Sequence, residues 1–207
     1  MALATRALLA IGASIAVAVV GASTFFAMGG KPPGIRDCPG GLTGADIGGP
    51  FSLTSHEGKA MTDRDLAGSP SLLYFGYATC PDVCPTDLAD VAAASEIVSE
   101  KTGMSVNPVF VTIDPRRDTV EALSEYVPYF SESMIGLTGP QSNVDAVAKK
   151  YRVYYAERPD ADFPDGYSMD HSSYIYLLDK DAKFVTYFKH DDPPEYIAEG
   201  VACHVGA

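Results

Sequence analysis

The chain has 207 residues, of which 46% are hydrophobic and 20% charged, enough for one compact domain with a sizeable core and too apolar for extensive disorder. Its 15 basic and 27 acidic residues give a formal net charge of -12, which argues against nucleic-acid binding because that function needs a basic face. The charge suits a partner with a basic patch or a cation, and it also serves simply to keep the domain soluble.

An uncharged apolar segment over residues 7–28 predicts a membrane-spanning helix. At about 1.5 Å per residue, such a helix is about 33 Å long, which is enough to cross the hydrocarbon core of a bilayer. Arg6 is the basic residue beside it and should stay in the cytoplasm with residues 1–6, so the rest of the chain would face the periplasm of a bacterial inner membrane. A cleavable signal peptide is the alternative, with a weak cleavage cue at residues 21–23, and either interpretation implies export.

Residues 29–49 are rich in glycine and proline and predict a linker that precedes a domain at 50–207. Within the domain, apolar runs alternate with helical spacings. In order, they predict a hairpin at 51–59, a strand at 71–77, a helix at 86–100, a strand at 106–113, a helix at 120–130 capped by Asp118, a short strand at 134–137, a helix at 143–152 capped by Ser142 or Asn143, a strand at 174–178 with a hairpin partner at 183–188, and a final helix at 193–203. This alternation predicts an α/β fold in which helices flank a central sheet.

Two cysteines, Cys80 and Cys84, lie between the predicted strand at 71–77 and the helix that follows it. Unpaired backbone N–H groups and the positive end of the helix dipole favour thiolate there, and thiolate is the form that attacks disulfides and binds metals. The two residues can therefore be a redox pair or half of a metal site. An inert disulfide is the third alternative, although closing so short a loop would stabilise the fold only slightly.

His171 is the best candidate for a third partner of the two cysteines. It precedes the predicted strand at 174–178, at the edge of the sheet. A histidine in that position is more often structural than a ligand, and spacing along the sequence does not bring it to Cys80. His56, in the turn of the first predicted hairpin, is expected to be a solvated loop residue.

Three blocks of sequence resemble the Sco/SenC family, the copper-binding assembly factors of cytochrome c oxidase. They are YFGYATCPDVCP at 74–85, VTIDPRRDT at 111–119 and DHSSYIYLLD at 170–179, in the family's order and in corresponding strand and helix contexts. The resemblance spans residues 51–203 together with the expected anchor. It implies a thioredoxin-like fold with a central mixed sheet, preceded by the transmembrane helix, and a copper ion held by Cys80, Cys84 and His171.

The function that this resemblance implies is that of a copper metallochaperone for the CuA centre in the copper-bearing subunit of an oxidase, which is not an enzyme in the turnover sense. Two thiolates and one imidazole suit Cu(I) in a trigonal site, and zinc could use the same ligands with a water molecule. Other periplasmic copper chaperones and thioredoxin-like reductants are further implied partners.

A thiol–disulfide oxidoreductase that reduces the target cysteines is the alternative function, and a redox or copper sensor is a third. Two departures from a thioredoxin favour copper. The cysteine spacing is CxxxC rather than CxxC, and His171 has a task in metal binding but none in simple disulfide exchange.

Other residues near the motifs admit more than one role. Asp170 would orient His171 or simply begin a strand, and Met169 is expected to pack rather than to bind metal. A charged cluster follows the predicted strand at 106–113 and is expected to fix its loop through an Arg–Asp pair, with partner recognition as the alternative. Its members are Asp114, Arg116, Arg117 and Asp118.

The remaining cysteines, Cys38 and Cys203, match nothing in the family's motifs. They either form a disulfide between the linker and the last helix, which export permits, or remain free thiols, with Cys203 and His204 as an adventitious metal site.

Overall fold

The computed structural model describes residues 38–41 and 43–206, apart from the side chain of Pro164. The expected cytoplasmic segment at 1–6 and the expected transmembrane helix at 7–28 lie outside the described residues. Within the described residues, no helix combines the length and the apolar character that a membrane span requires.

The described chain forms nine strands and four α-helices, with three short 3-10 turns. The strands are β1 Ser52–Ser55, β2 Ala60–Thr62, β3 Ser71–Gly76, β4 Asn107–Thr112, β5 Ile135–Thr138, β6 Tyr155–Pro159, β7 Tyr167–His171, β8 Tyr174–Leu178 and β9 Phe184–Lys189. The helices are α1 Val83–Thr102, α2 Val120–Tyr126, α3 Gln141–Lys150 and α4 Pro194–Val205. The 3-10 turns cover Asp63–Leu66, Val127–Tyr129 and Pro164–Gly166.

Seven of the strands form one mixed sheet in the order β2-β1-β5-β4-β3-β8-β9. β3, β4 and β5 run parallel at its centre, and the outer strands pair antiparallel. Every residue of β3 is buried, as expected for a strand that is covered on both faces. α1 packs against β3, β4 and α4, whereas α2 packs against β5 and α3 against β1. The predicted α/β fold with a central mixed sheet and packed helices is confirmed.

The other two strands, β6 and β7, form a separate antiparallel hairpin that the sequence analysis did not predict. β6 is partly or fully exposed along its length and contains two charged residues and a proline, so it lacks the apolar alternation that signals a strand. His171 is the last residue of β7 and lies opposite Tyr155. The expectation that His171 lies at the edge of the main sheet is therefore corrected, because it ends a strand of the small hairpin.

The predicted cap of α2 is wrong. Thr119 caps this helix, and its hydroxyl accepts a hydrogen bond from the backbone N–H of Ala122 at 3.3 Å. Asp118 is buried instead, where its carboxylate accepts from the hydroxyl of Thr112 at 2.6 Å and from the backbone N–H of Ala78 at 3.0 Å. It ties the end of β4 to the loop that carries the two motif cysteines.

The predicted cap of α3 is also wrong, because the helix begins at Gln141, directly after Pro140. Neither Ser142 nor Asn143 caps it. The side-chain amide of Asn143 donates to the carbonyl oxygen of Ser52 at 3.0 Å, so it fastens α3 to β1, a contact that the local sequence does not reveal.

Cys38 and Cys203 form a disulfide that joins the segment before β1 to α4. Beside it, Nε2 of His204 donates to the carbonyl oxygen of Pro39 at 3.0 Å. The disulfide excludes the alternative in which the two cysteines are free thiols, and with it an adventitious metal site at Cys203 and His204.

The described part of the expected linker, at 38–41 and 43–49, is held against the domain. The backbone N–H of Gly41 donates to the carbonyl of Tyr187 in β9, and that of Gly48 donates to the carbonyl of Lys150 in α3, each at 2.8 Å.

Replacing both Cys38 and Cys203 by serine should lower the free energy of unfolding by about 2–5 kcal/mol, the usual effect of losing a native disulfide. The bond joins residues 165 apart in sequence, so its loss frees much of the unfolded chain. Chemical denaturation followed by circular dichroism measures the change. The wild type in a reductant should match the double variant, and equal stability of the variant and the oxidised wild type would contradict the bond.

Candidate metal centre

The two cysteines of the CxxxC motif lie at the start of α1, as the sequence predicts. α1 begins at Val83, so Cys84 is in its first turn and Cys80 is in the preceding loop. The backbone N–H of Cys84 donates to the sulfur of Cys80 at 3.3 Å. Cys84 is fully buried, Cys80 is partly exposed, and both are free thiols, so the inert disulfide that the sequence left open is not formed.

β7 brings His171 to these sulfurs from far along the chain. Its ring nitrogen Nε2 lies 3.3 Å from Sγ of Cys84. Its other nitrogen, Nδ1, lies 3.0 Å from the carbonyl oxygen of Ser172. Because a carbonyl oxygen can only accept, Nδ1 carries a proton, which makes Nε2 the ring nitrogen that can offer a lone pair toward the cysteines.

The sulfurs of Cys80 and Cys84 and a ring nitrogen of His171 all lie within 4.8 Å of one another. In the described part of the chain, this is the one group of three or more histidine, cysteine or acidic residues with such spacing. Two sulfurs and an imidazole nitrogen form a soft donor set, so the group fits a soft metal ion. The structure thus brings together all three residues that the sequence analysis named as ligands.

Two aromatic rings pack edge-to-face against the imidazole of His171. The ring centroids of Tyr74 and Tyr77 lie 6.2 Å and 5.9 Å from it, with interplanar angles of 81° and 88°. Such packing restricts rotation of the imidazole and keeps Nε2 directed at the sulfurs.

The pKa values of the two thiols are shifted in opposite directions. The thiol of Cys84 donates toward Cys80 and lowers the pKa of Cys80, with a smaller effect from the backbone N–H of Asp82, while burial opposes the shift. Burial, and then the neighbouring Cys80, raises the pKa of Cys84. The pair therefore keeps its proton on the inner sulfur and presents a thiolate at the rim.

The space for the inner sulfur depends on Gly76, the last residue of β3. A Cβ at this position would lie 2.9 Å from Sγ of Cys84 and 2.8 Å from Cε1 of Tyr74, closer than such atoms approach. Glycine therefore lets α1 place the sulfur directly against the end of the central strand.

The charged cluster after β4 anchors β7. Arg117 pairs with Asp114 through Nε and Oδ2 at 2.5 Å, which confirms the expected Arg–Asp pair. Arg117 also donates to the carbonyl of Tyr167 at 3.0 Å, and its guanidinium lies 3.9 Å from the centroid of the Tyr167 ring. Since Tyr167 begins β7, the cluster fixes the strand that carries the histidine. Arg116 is exposed and pairs with Glu157 of β6.

Asp170 does not orient the histidine. Its carboxylate is half exposed and lies 3.6 Å from Arg158, while Ser172 occupies the Nδ1 position of His171. Met169 is buried in the core, as expected.

His56 is not a solvated loop residue. Its Nδ1 accepts a hydrogen bond from the backbone N–H of Gly136 at 3.1 Å, and the backbone N–H of His56 donates to the carbonyl oxygen of Gly136 at 2.7 Å. It joins the first hairpin to β5, which is a long-range role that a turn sequence does not reveal.

Sequence reasoning missed a polar set beside Cys84, in which the buried residues Tyr74 and Asp87 are joined by the partly exposed His190. Asp87 is fully buried on α1, and its Oδ1 lies 2.9 Å from Nδ1 of His190. Burial raises the pKa of Asp87, and the hydrogen bond that His190 donates to Asp87 raises the pKa of His190. The i, i+3 spacing from Cys84 to Asp87 was the one sequence signal for this set, because it puts both on one helix face.

Comparison with known proteins gives a family. The family model described as SCO1/SenC matches residues 40–206. Protein SenC of Rhodobacter capsulatus is 44% identical over 167 residues, which cover 81% of this chain and 74% of SenC. The human mitochondrial SCO1 homolog is 44% identical over 160 residues, which cover 77% of this chain but only 53% of the human protein. The match thus spans about half the length of the human relative.

Solved structures of this family share the fold. Arabidopsis thaliana ScoI with copper bound is 40% identical, with a TM-score of 0.71, and the match covers 76% of this chain and 96% of that one. Bradyrhizobium japonicum ScoI with copper bound is 39% identical, with a TM-score of 0.68, and the match covers 77% of this chain and 99% of that one. The chain therefore belongs to the SCO1/SenC family.

Proposed function

We propose that this protein is a copper metallochaperone that takes part in assembling the CuA centre of cytochrome c oxidase. Copper is its cargo, and Cys80, Cys84 and His171 hold it. Membership of the SCO1/SenC family and the copper-bound structures of two relatives support this function. On this account the protein transfers a metal ion and has no substrate turnover of its own.

The observation that carries the proposal is the lone pair on Nε2 of His171 beside two thiol sulfurs. Disulfide exchange needs only the thiols, whereas a metal ion uses the imidazole nitrogen as a third donor. Three donors of this softness suit Cu(I), while a zinc site of the usual kind would need a fourth ligand.

The unequal exposure of the two sulfurs suits transfer of the metal. Cys84 is buried and Cys80 is at the rim, so a partner's ligand would exchange first with Cys80. The net charge of -12 attracts cations and favours a partner with a basic surface. The copper-bearing subunit of the oxidase is the proposed acceptor, and other periplasmic copper chaperones are proposed donors.

A thiol–disulfide oxidoreductase is the second candidate, and the lowered pKa of Cys80 favours it. The thiolate of Cys80 would attack a partner disulfide and release one partner thiolate. Cys84 would then attack the mixed disulfide, release the second partner thiolate and leave a Cys80–Cys84 disulfide. A thioredoxin-like reductant would return this disulfide to the dithiol.

We place residues 1–6 in the cytoplasm, a single membrane span at 7–28, a linker at 29–49 and the copper-binding domain at 50–207 in the periplasm of a bacterial inner membrane. The uncharged length of the apolar segment supports the span. The disulfide between Cys38 and Cys203 supports an oxidising compartment for the domain.

Titration of the reduced protein with Cu(I) against a competing chelator tests the chaperone function. The wild type should bind one copper ion tightly. Each ligand variant should lower the affinity by at least about 100-fold: Cys80→Ser, Cys84→Ser and His171→Ala. Changing a residue that only hydrogen-bonds a metal ligand can already cost about that much, and removing the ligand itself should cost no less.

His56→Ala is the matched control, since it removes a histidine that is hydrogen-bonded within the fold but lies outside the group of three. It should bind copper as the wild type does. Wild-type affinity in His171→Ala would remove the histidine from the site and make the oxidoreductase the leading function.

Membrane fractionation of cells that express the full chain tests the anchor. The protein should remain in the membrane pellet after alkaline extraction and keep its first residues, because a span of this length is not released by high pH. Recovery from the soluble periplasm without residues 1–28 would show a cleaved signal peptide instead.

A further inference from the structure

A buried tyrosine hydroxyl lies near the inner cysteine and a buried acid. Tyr74, in β3, is fully buried. Burial is the largest cause of the raised pKa of its hydroxyl, and the neighbouring Cys84 and Asp87 raise this pKa further. A Cβ on Gly76 would lie 2.8 Å from Cε1 of Tyr74 and 2.9 Å from Sγ of Cys84, so the tyrosine ring and the sulfur are neighbours. Tyr74 thus approaches the metal centre from the core.

Two polar atoms in this place are buried without a formed hydrogen bond. Among the residues that the structure describes, neither Oη of Tyr74 nor Oδ2 of Asp87 has a partner in hydrogen-bonding geometry. The other carboxylate oxygen of Asp87, Oδ1, is bound by His190 at 2.9 Å. Unsatisfied buried groups are rare in native proteins, and their presence beside a functional site suggests that the site has another state.

We propose that Tyr74 is a positioning residue for the metal centre, whose hydroxyl donates its single proton to the Cys84 sulfur when copper is bound, in competition with Oδ2 of Asp87. Forming this hydrogen bond needs a small shift of the side chains, because neither acceptor is in hydrogen-bonding geometry with the hydroxyl, and no covalent bond breaks. This inference rests on the proposed copper function.

The need of the Cys84 sulfur for a hydrogen-bond donor differs between the copper-bound and the copper-free site. A metal-bound cysteine sulfur is a thiolate, which accepts hydrogen bonds and is costly to bury without them. The backbone N–H of Tyr77 lowers the pKa of Cys84, as a nearby donor does. Tyr74 is the side-chain donor that can supply a hydrogen bond from the core side.

Asp87 competes with Cys84 for the same proton. His190 holds Oδ1 and so leaves Oδ2 as the acceptor toward Tyr74. This competition predicts opposite effects from changing the tyrosine and changing the acid, whereas two residues that merely support the fold would both weaken the site when changed.

Tyr74→Phe removes the hydroxyl alone. In the full chain, it should lower Cu(I) affinity about ten-fold, the lower end of the effect of losing an outer partner of a metal ligand. In the Cu(II) form, the sulfur-to-copper charge-transfer band should move to longer wavelength, because a thiolate that loses a hydrogen bond releases electron density more easily.

Asp87→Asn should have the opposite effect. His190 can keep its bond to Oδ1, and the amide nitrogen that replaces Oδ2 can only donate, so the Tyr74 proton is left to Cys84. Cu(I) affinity should equal or exceed that of the wild type, and the charge-transfer band should not move to longer wavelength.

Tyr151→Phe is the matched control. Tyr151 is also buried, its hydroxyl also has no hydrogen-bonded partner among the described residues, and the groups that act on it are Asp63 and Tyr176 rather than a cysteine. This variant should keep the affinity and the spectrum of the wild type.

The results separate the inference from the function on which it rests. A wild type that binds Cu(I) and a Tyr74→Phe variant that matches it would overturn the inference alone. Equal losses in Tyr74→Phe and Tyr151→Phe, or a loss in Asp87→Asn as large as in Tyr74→Phe, would also overturn it. A wild type that fails to bind Cu(I) would overturn the proposed function, and the inference with it.

Discussion

The metal centre depends on one hydrogen bond, from Nδ1 of His171 to the carbonyl oxygen of Ser172. This bond fixes the tautomer, so that Nε2 presents a lone pair rather than a proton to the sulfur 3.3 Å away on Cys84. The acceptor is the backbone of the next residue, at the turn from β7 into β8. The ligand property of the imidazole is therefore set by the course of the main chain.

The rest of the fold brings that nitrogen to a sulfur that is itself fixed. The end of β3 leaves room for Cys84 because Gly76 has no side chain, and the first turn of α1 holds the sulfur there. Arg117 fixes the opposite side by holding Tyr167 at the start of β7. Cys84 and His171 thus lie on packed elements, which keeps these two donors in place before the metal arrives.

The sequence predicted the parts of the site that depend on local pattern. The run before Cys80 is almost continuously apolar, the segment after Cys84 has helical spacing, and both elements are confirmed. His171 was already the candidate third partner from its place before a predicted strand, but its role as a ligand came from the resemblance of three blocks, since no local pattern joins residues 87 apart in sequence. The β6–β7 hairpin was missed because its exposed, charged strand lacks apolar alternation, and Asp118 was taken for a cap because its buried partners come from other elements.

We propose that the metal centre holds one copper ion through two sulfurs and one imidazole nitrogen. X-ray absorption at the copper K-edge of the Cu(I)-loaded protein tests it most directly, because the fine structure counts sulfur and nitrogen neighbours separately. The account predicts two sulfurs and one nitrogen per copper in the wild type, with the nitrogen lost in His171→Ala. A shell of sulfur alone, or the same shell in the wild type and in His171→Ala, would contradict it.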